Sequence, residues 1–125
     1  MRRLLGILVL VTGCSNKLSG DLTIDGTAVT LDSCRSGQIY GFAGVELVTT
    51  AGLKLRLVGN PDGTANALVS MGEKTFAEIG KCGPMDNQPQ SSTINDVRNV
   101  MGNARLDCEG SGHTIKGTIN WENCH

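Results

Sequence analysis

At 125 residues, with 11 Lys and Arg against 12 Asp and Glu, the chain is one domain's worth without a basic excess for nucleic acid or an acidic solvating tail. Its 17 glycines and 3% aromatic content exclude a core built from large aromatic clusters and suit many short strands joined by turns. A domain this small buries a modest share of its surface and commonly needs staples, for which its 5 cysteines are the candidates.

The chain starts Met1-Arg2-Arg3 and runs apolar from Leu4 to Val11, the layout of a secretory signal peptide over residues 1–13. The run is about half the length that spans a bilayer. It lacks the amphipathic period of an ordinary buried helix and stops at Thr12-Gly13-Cys14. Val11-Thr12-Gly13-Cys14 resembles the lipobox of bacterial lipoproteins, with Val in place of the commoner Leu. The resemblance implies cleavage before Cys14, diacylglycerol on its thiol and an acyl group on its new amine. Such multiple acylation holds far more firmly than one chain. Ser15 stands where the Gram-negative sorting rule places an Asp for inner-membrane retention, so the resemblance implies an outer-membrane address. Residues 14–20 are then the lipidated cysteine and a tether that reaches about 20 Å from Ser15 to Gly20, and residues 21–125 are the domain. Loss of Arg2 and Arg3 leaves 9 basic residues against 12 acidic ones, a net charge of −3, so lipid rather than electrostatics provides the attachment.

Asp21–Ile24 and Thr27–Leu31 alternate on either side of Asp25-Gly26, which favours a type I′ hairpin turn. Gln38–Val48 reads as a longer strand, and Leu53–Val58 alternates with Leu53, Leu55 and Leu57 on one face and Lys54 and Arg56 on the other. Asn60-Pro61-Asp62-Gly63 is a turn before a strand over Ala65–Met71. Lys81–Ser92, with two of the chain's prolines, reads as a long surface loop. Thr93–Met101 reads either as a short helix or as an irregular strand, with the strand preferred. Asn103–Cys108 and His113–Trp121 flank Gly110-Ser111-Gly112, with Ile115, Gly117, Ile119 and Trp121 on one face. The whole is an all-β expectation: a small antiparallel β-sandwich or barrel stapled by two disulfides.

With Cys14 lipidated, Cys34, Cys82, Cys108 and Cys124 form an even set in an exported chain, which favours disulfides. Zinc lacks support, since no Cys–Cys or Cys–His spacing suits it. In a regular hairpin about Ser111, Cys124 lies roughly 30 Å along the strand from the residue opposite Cys108, too far for a bond. Cys34–Cys124 with Cys82–Cys108 remains, as does the crossed alternative; the first is preferred because it ties the C-terminal strand to an early one.

Little in the chain points to catalysis. His113 starts a strand and reads as a rim residue, while His125 is the last residue, without a partner that sequence names. Neither a nucleophile elbow nor paired carboxylates appear. Gly37–Gly41 lies in strand-like sequence without a following helix, unlike a phosphate loop, and Asp21, Asp25 and Asp32 lack calcium-loop spacing. The expectation is a non-enzyme without metal or cofactor. Ile39-Tyr40-Gly41-Phe42-Ala43 is apolar on both faces. Either it is a central strand covered on both sides, which is preferred, or Tyr40 and Phe42 form an exposed docking patch.

Cys34-Arg35-Ser36-Gly37-Gln38, Gly41–Leu47, Leu55–Val58, Pro61–Ala65 and Glu122-Asn123-Cys124-His125 are similar to small lipoproteins of myxobacterial type. That resemblance implies an exported four-cysteine β domain and brings no activity. Gly102-Asn103-Ala104 with Gly112–Thr118 is similar, more faintly, to the closing hairpin of mycobacterial lipoprotein antigens. The resulting expectation is a lipid-anchored envelope protein with a structural or binding role and a protein partner in the envelope. The alternative is a periplasmic inhibitor or immunity protein against an envelope hydrolase.

Overall fold

Asp25 and Gly26 both take positive φ, 55° and 80°, the two-residue geometry that matches the twist of flanking strands. In the computed structural model, which describes residues 16–72, 74–94 and 96–125, they join β1 (Lys17–Ile24) to β2 (Thr27–Val29). The chain continues through β3 (Leu31–Ser36), a 3₁₀ turn (Gly37–Tyr40), β4 (Gly44–Thr49), β5 (Lys54–Gly59) and β6 (Thr64–Ser70). It ends with β7 (Ala77–Ile94), β8 (Val97–Gly110) and β9 (His113–Cys124). The signal peptide expected over residues 1–13 and the lipidation expected at Cys14 lie outside the described residues.

The 9 strands of the described residues join one antiparallel sheet in the order β2-β1-β9-β8-β7-β6-β5-β4-β3. From β3 to β9 the chain meanders, each strand beside the next, and β1 then takes the free side of β9. The sheet curls until its ends approach, giving a nearly closed barrel. Period-2 alternation fills it: Leu55 and Leu57 are buried while Lys54 is exposed and Arg56 partly so. Small and large side chains oppose each other across strands, as where Ala67 pairs with Leu57, which fits a narrow barrel interior. Trp121 is the one large aromatic side chain in this core, and its indole N–H donates to Asn87 Oδ1 at 2.9 Å.

The stretch Lys81–Ser92 is not a loop but the middle of β7. Its prolines sit where a strand tolerates a missing N–H. Pro84 is the last residue paired with β6, Met85 is the first paired with β8, and Pro89 borders a register shift. Thr93–Met101 is neither helix nor one irregular strand. Ile94 pairs with Val97, and Asp96 between them has φ 66°.

Gln38–Val48 is also not one strand. Ser36 Oγ accepts the Gln38 N–H at 3.2 Å, Gly41 closes the 3₁₀ turn at φ 89°, and strand geometry starts only at Gly44. Tyr40 and Phe42 therefore do not belong to a strand covered on both sides, and Gly37–Gly41 is turn rather than strand. β1 begins at Lys17, so Lys17–Gly20, expected as tether, instead pairs with β9.

The disulfides are Cys34–Cys124 and Cys82–Cys108, with Cα–Cα distances of 5.1 and 4.7 Å. Alternation alone would turn Cys124 away from the side that Trp121 faces. A register shift between them, with Asn123 at φ 61°, turns both inward, and Cys124 meets Cys34 across the gap between β9 and β3. Asn16 spans the same gap: its Oδ1 accepts the Cys34 N–H at 2.9 Å and its Nδ2 donates to the Asn123 carbonyl at 2.7 Å. Cys108 pairs with Ile115, at the other end of β9, which is why it does not reach Cys124.

Candidate interaction surface

β4 opens with Gly44-Val45-Glu46-Leu47; Val45 and Leu47 fill the barrel, so Glu46 points out. It is nonetheless only 2% exposed, because residues 37–43 fold back over it. Two glycines permit that fold. A Cβ on Gly37 would stand 2.4 Å from the Phe42 ring, and one on Gly44 (φ 147°) would stand 1.9 Å from the Leu57 carbonyl oxygen. The Ala43 carbonyl then accepts the Gly59 N–H at 2.8 Å, pinning the segment to β5.

A buried carboxylate needs partners for both oxygens. The Tyr40 hydroxyl donates to Glu46 Oε1 and Arg56 Nε to Oε2, each at 2.9 Å. Arg56 is the direct cross-strand neighbour of Glu46. Its guanidinium carbon lies 4.2 Å from the ring centroids of Tyr40 and Phe76 and 5.6 Å from that of Phe42. Tyr40 and Phe42 stack at 6.3 Å with 14° between planes. The chain's one tyrosine and both phenylalanines thus surround one cation on the outer wall.

Burial and then the Glu46 carboxylate push the Tyr40 phenol above its ordinary pKa of 10.0, so it remains a donor at neutral pH. Arg35, on β3 and the cross-strand neighbour of Glu46, acts in the opposite sense on the Tyr40 phenol, holding its pKa down. Tyr40 is 38% exposed and Phe42 is half-buried, so the covering segment is itself uncovered.

The structure brings Tyr40 and Phe42 together, as the docking-patch expectation has it, but on a turn. Glu46, Arg56 and Phe76 were missed. Glu46 carried a faint signal, a lone acid in the apolar run Val45–Val48; Phe76 stood outside every alternating segment. His113 is at a rim, where its Nδ1 lies 2.8 Å from Asp25 Oδ2. His125 has a partner that sequence did not name, the Asn123 carbonyl 3.3 Å from its Nδ1. It lines a cavity of about 480 Å³ at the barrel gap with Asn16, Arg35 and Ile39. Compared with known protein families, characterised proteins and solved structures, the chain gives no match.

Proposed function

We propose that the protein is a lipid-anchored cell-envelope domain that binds a protein partner and does not catalyse a reaction. Its docking face is the Tyr40–Phe42–Phe76 surface around Arg56. The observation that carries this reading is the gathering of three rings around a guanidinium outside the core. The barrel does not need them for its interior, which aliphatic side chains and Trp121 fill. Aromatic side chains and Arg dominate the energetic centres of protein interfaces. Rings already held in place lose little freedom on binding. Two disulfides fit an exported chain, and the lipobox resemblance at Val11–Cys14 supports the anchor and, with Ser15, the outer membrane.

The test is site-specific photo-crosslinking in cells with the probe at position 40 or, on the β1 wall, at position 23. A discrete protein adduct from position 40 alone is expected, and equal or absent adducts at both positions would overturn the docking face. Cys14→Ser is expected to move the protein from the membrane to the soluble fraction, and unchanged membrane attachment would overturn the lipid anchor. A second reading, an inhibitor or immunity protein for an envelope hydrolase, is favoured by the part-exposed Arg56 cation. Glycoside hydrolases work with paired carboxylates, which a guanidinium suits. Tight one-to-one binding that blocks hydrolysis would select it.

A further inference from the structure

Arg56 carries five N–H donors, and its Nε is committed to Glu46 at 2.9 Å. Among the described residues no acceptor meets its other nitrogens, yet the only buried side-chain polar atom without a partner is Asn99 Oδ1. Among the described residues nothing closes off the Nη groups of Arg56, consistent with a side chain 25% exposed. They are also held in one orientation. The Tyr40 and Phe76 rings lie 4.2 Å from the guanidinium carbon and Glu46 fixes the Nε edge.

The charge of Glu46 is answered inside the cluster by Arg56 and the Tyr40 hydroxyl. Exposed Arg35 flanks it across β3, and exposed Lys54 precedes Arg56 by two residues on the same face. An exposed acid on this wall is Glu78, which faces Leu68, itself the cross-strand neighbour of Arg56. Among the described residues, two exposed cations, Arg35 and Lys54, thus stand closest to the Nη edge in a chain whose overall charge is −1.

We infer that the Nη edge of Arg56 receives a carboxylate of the protein partner as a planar, bidentate pair, with the Tyr40 and Phe76 rings against the apolar neighbours of that acid. The inference rests on the docking face proposed above and names what that face recognises. A guanidinium pairs bidentately with either group, but a carboxylate lies flat in its plane and continues the slot between the rings, whereas the remaining oxygens of a tetrahedral phosphate project out of that plane. The rings also keep water from the pair, which makes it stronger than an open surface ion pair.

Peptide display against the mature domain with both disulfides intact tests this. Selected peptides are expected to carry Asp or Glu beside an apolar residue and to compete with one another for the Tyr40 surface. Changing that acid to its amide is expected to weaken binding at least tenfold to the unaltered protein, a readout that needs no protein variant. Arg56→Lys, which keeps the charge and loses the fork, is expected to weaken binding at least tenfold, and Phe76→Ala severalfold, with folding checked by thermal melts. Peptides without an essential acid, or an Arg56→Lys protein that folds and binds as before, would overturn the carboxylate and leave the docking face standing. Binders that all ignore Tyr40→Ala would overturn the face itself. Competition by inorganic phosphate or phosphatidylglycerol vesicles as strong as that by the acidic peptides would assign the edge to phosphate and overturn the inference.

Discussion

A carboxylate that is 2% exposed on the outside of a barrel needs a partner for each oxygen, so the two partners of Glu46 are not equivalent to Glu46 itself. Removing Arg56 leaves a buried charge with one neutral donor; removing Glu46 leaves a cation that water reaches. Arg56→Met is therefore expected to destabilise by about 3 kcal/mol and Glu46→Leu by only about 1 kcal/mol, read from urea unfolding. Equal costs would show that the carboxylate is not desolvated. Asp62 is the opposite case, an exposed acid in a turn. The Lys81 ammonium at 2.8 Å, then the Thr64 hydroxyl and N–H, lower its pKa from 3.8 to about 2. A carboxyl lowered on folding adds stability above its unfolded pKa and loses it as pH falls through the folded one. Asp62→Asn is thus expected to lower the urea midpoint slightly at pH 5, with the difference vanishing as pH falls from about 4 to about 2. The turn at Asp62-Gly63 was legible because its chemistry is local. The burial of Glu46 was not, because an outward strand position reads as solvated until a distant segment covers it.

At the scale of elements, legibility followed the strength of alternation. Leu53–Val58 and His113–Trp121 form the strands that their period-2 patterns indicate, and Asp25-Gly26 and Ser111-Gly112 form the turns between paired strands. β7 was hidden because prolines usually punctuate; here they mark a change of partner strand and a bulge. The 3₁₀ turn was hidden because an apolar run on both faces also describes a buried strand. What distinguishes them is room: the Phe42 ring occupies the space beside Gly37 where a Cβ would be. Gly37→Ala is expected to displace that ring, loosen the cover on Glu46 and destabilise by about 1–3 kcal/mol, as overpacking does. Ring-current shifts at Phe42 and Tyr40, followed by NMR, check the displacement. An unchanged spectrum would mean that Phe42 does not hold the turn in place.

For the whole molecule the decisive feature is that, among the described residues, the sheet does not close itself by a ladder. β3 and β2 are its edges, and unpaired edges invite other chains to pair. Cys34–Cys124 and the Asn16 amide span the gap instead. Strand geometry was enough to discard Cys108–Cys124 from the sequence, since one hairpin register sets those residues far apart. The role of Asn16 was illegible, since its two partners are set by the approach of strands from opposite ends of the chain. Loop-closure entropy gives about 4.5 kcal/mol for the 90-residue closure of Cys34–Cys124 and about 3.5 kcal/mol for the 26-residue closure of Cys82–Cys108. The two bonds differ less in that number than in what they hold. Cys82–Cys108 joins β7 to β8, neighbours that a ladder pairs from Met85 onward. Cys34–Cys124 joins strands that share no ladder. The double variant Cys34→Ser, Cys124→Ser is therefore expected to speed amide exchange in β1 and β3 and to promote association through the freed edges. Cys82→Ser, Cys108→Ser is expected to lower stability while the protein stays monomeric. Hydrogen exchange with size-exclusion chromatography separates the two outcomes. A seam variant that stayed monomeric and fully protected in β3 would mean that the barrel is closed by packing and the Asn16 bridge alone.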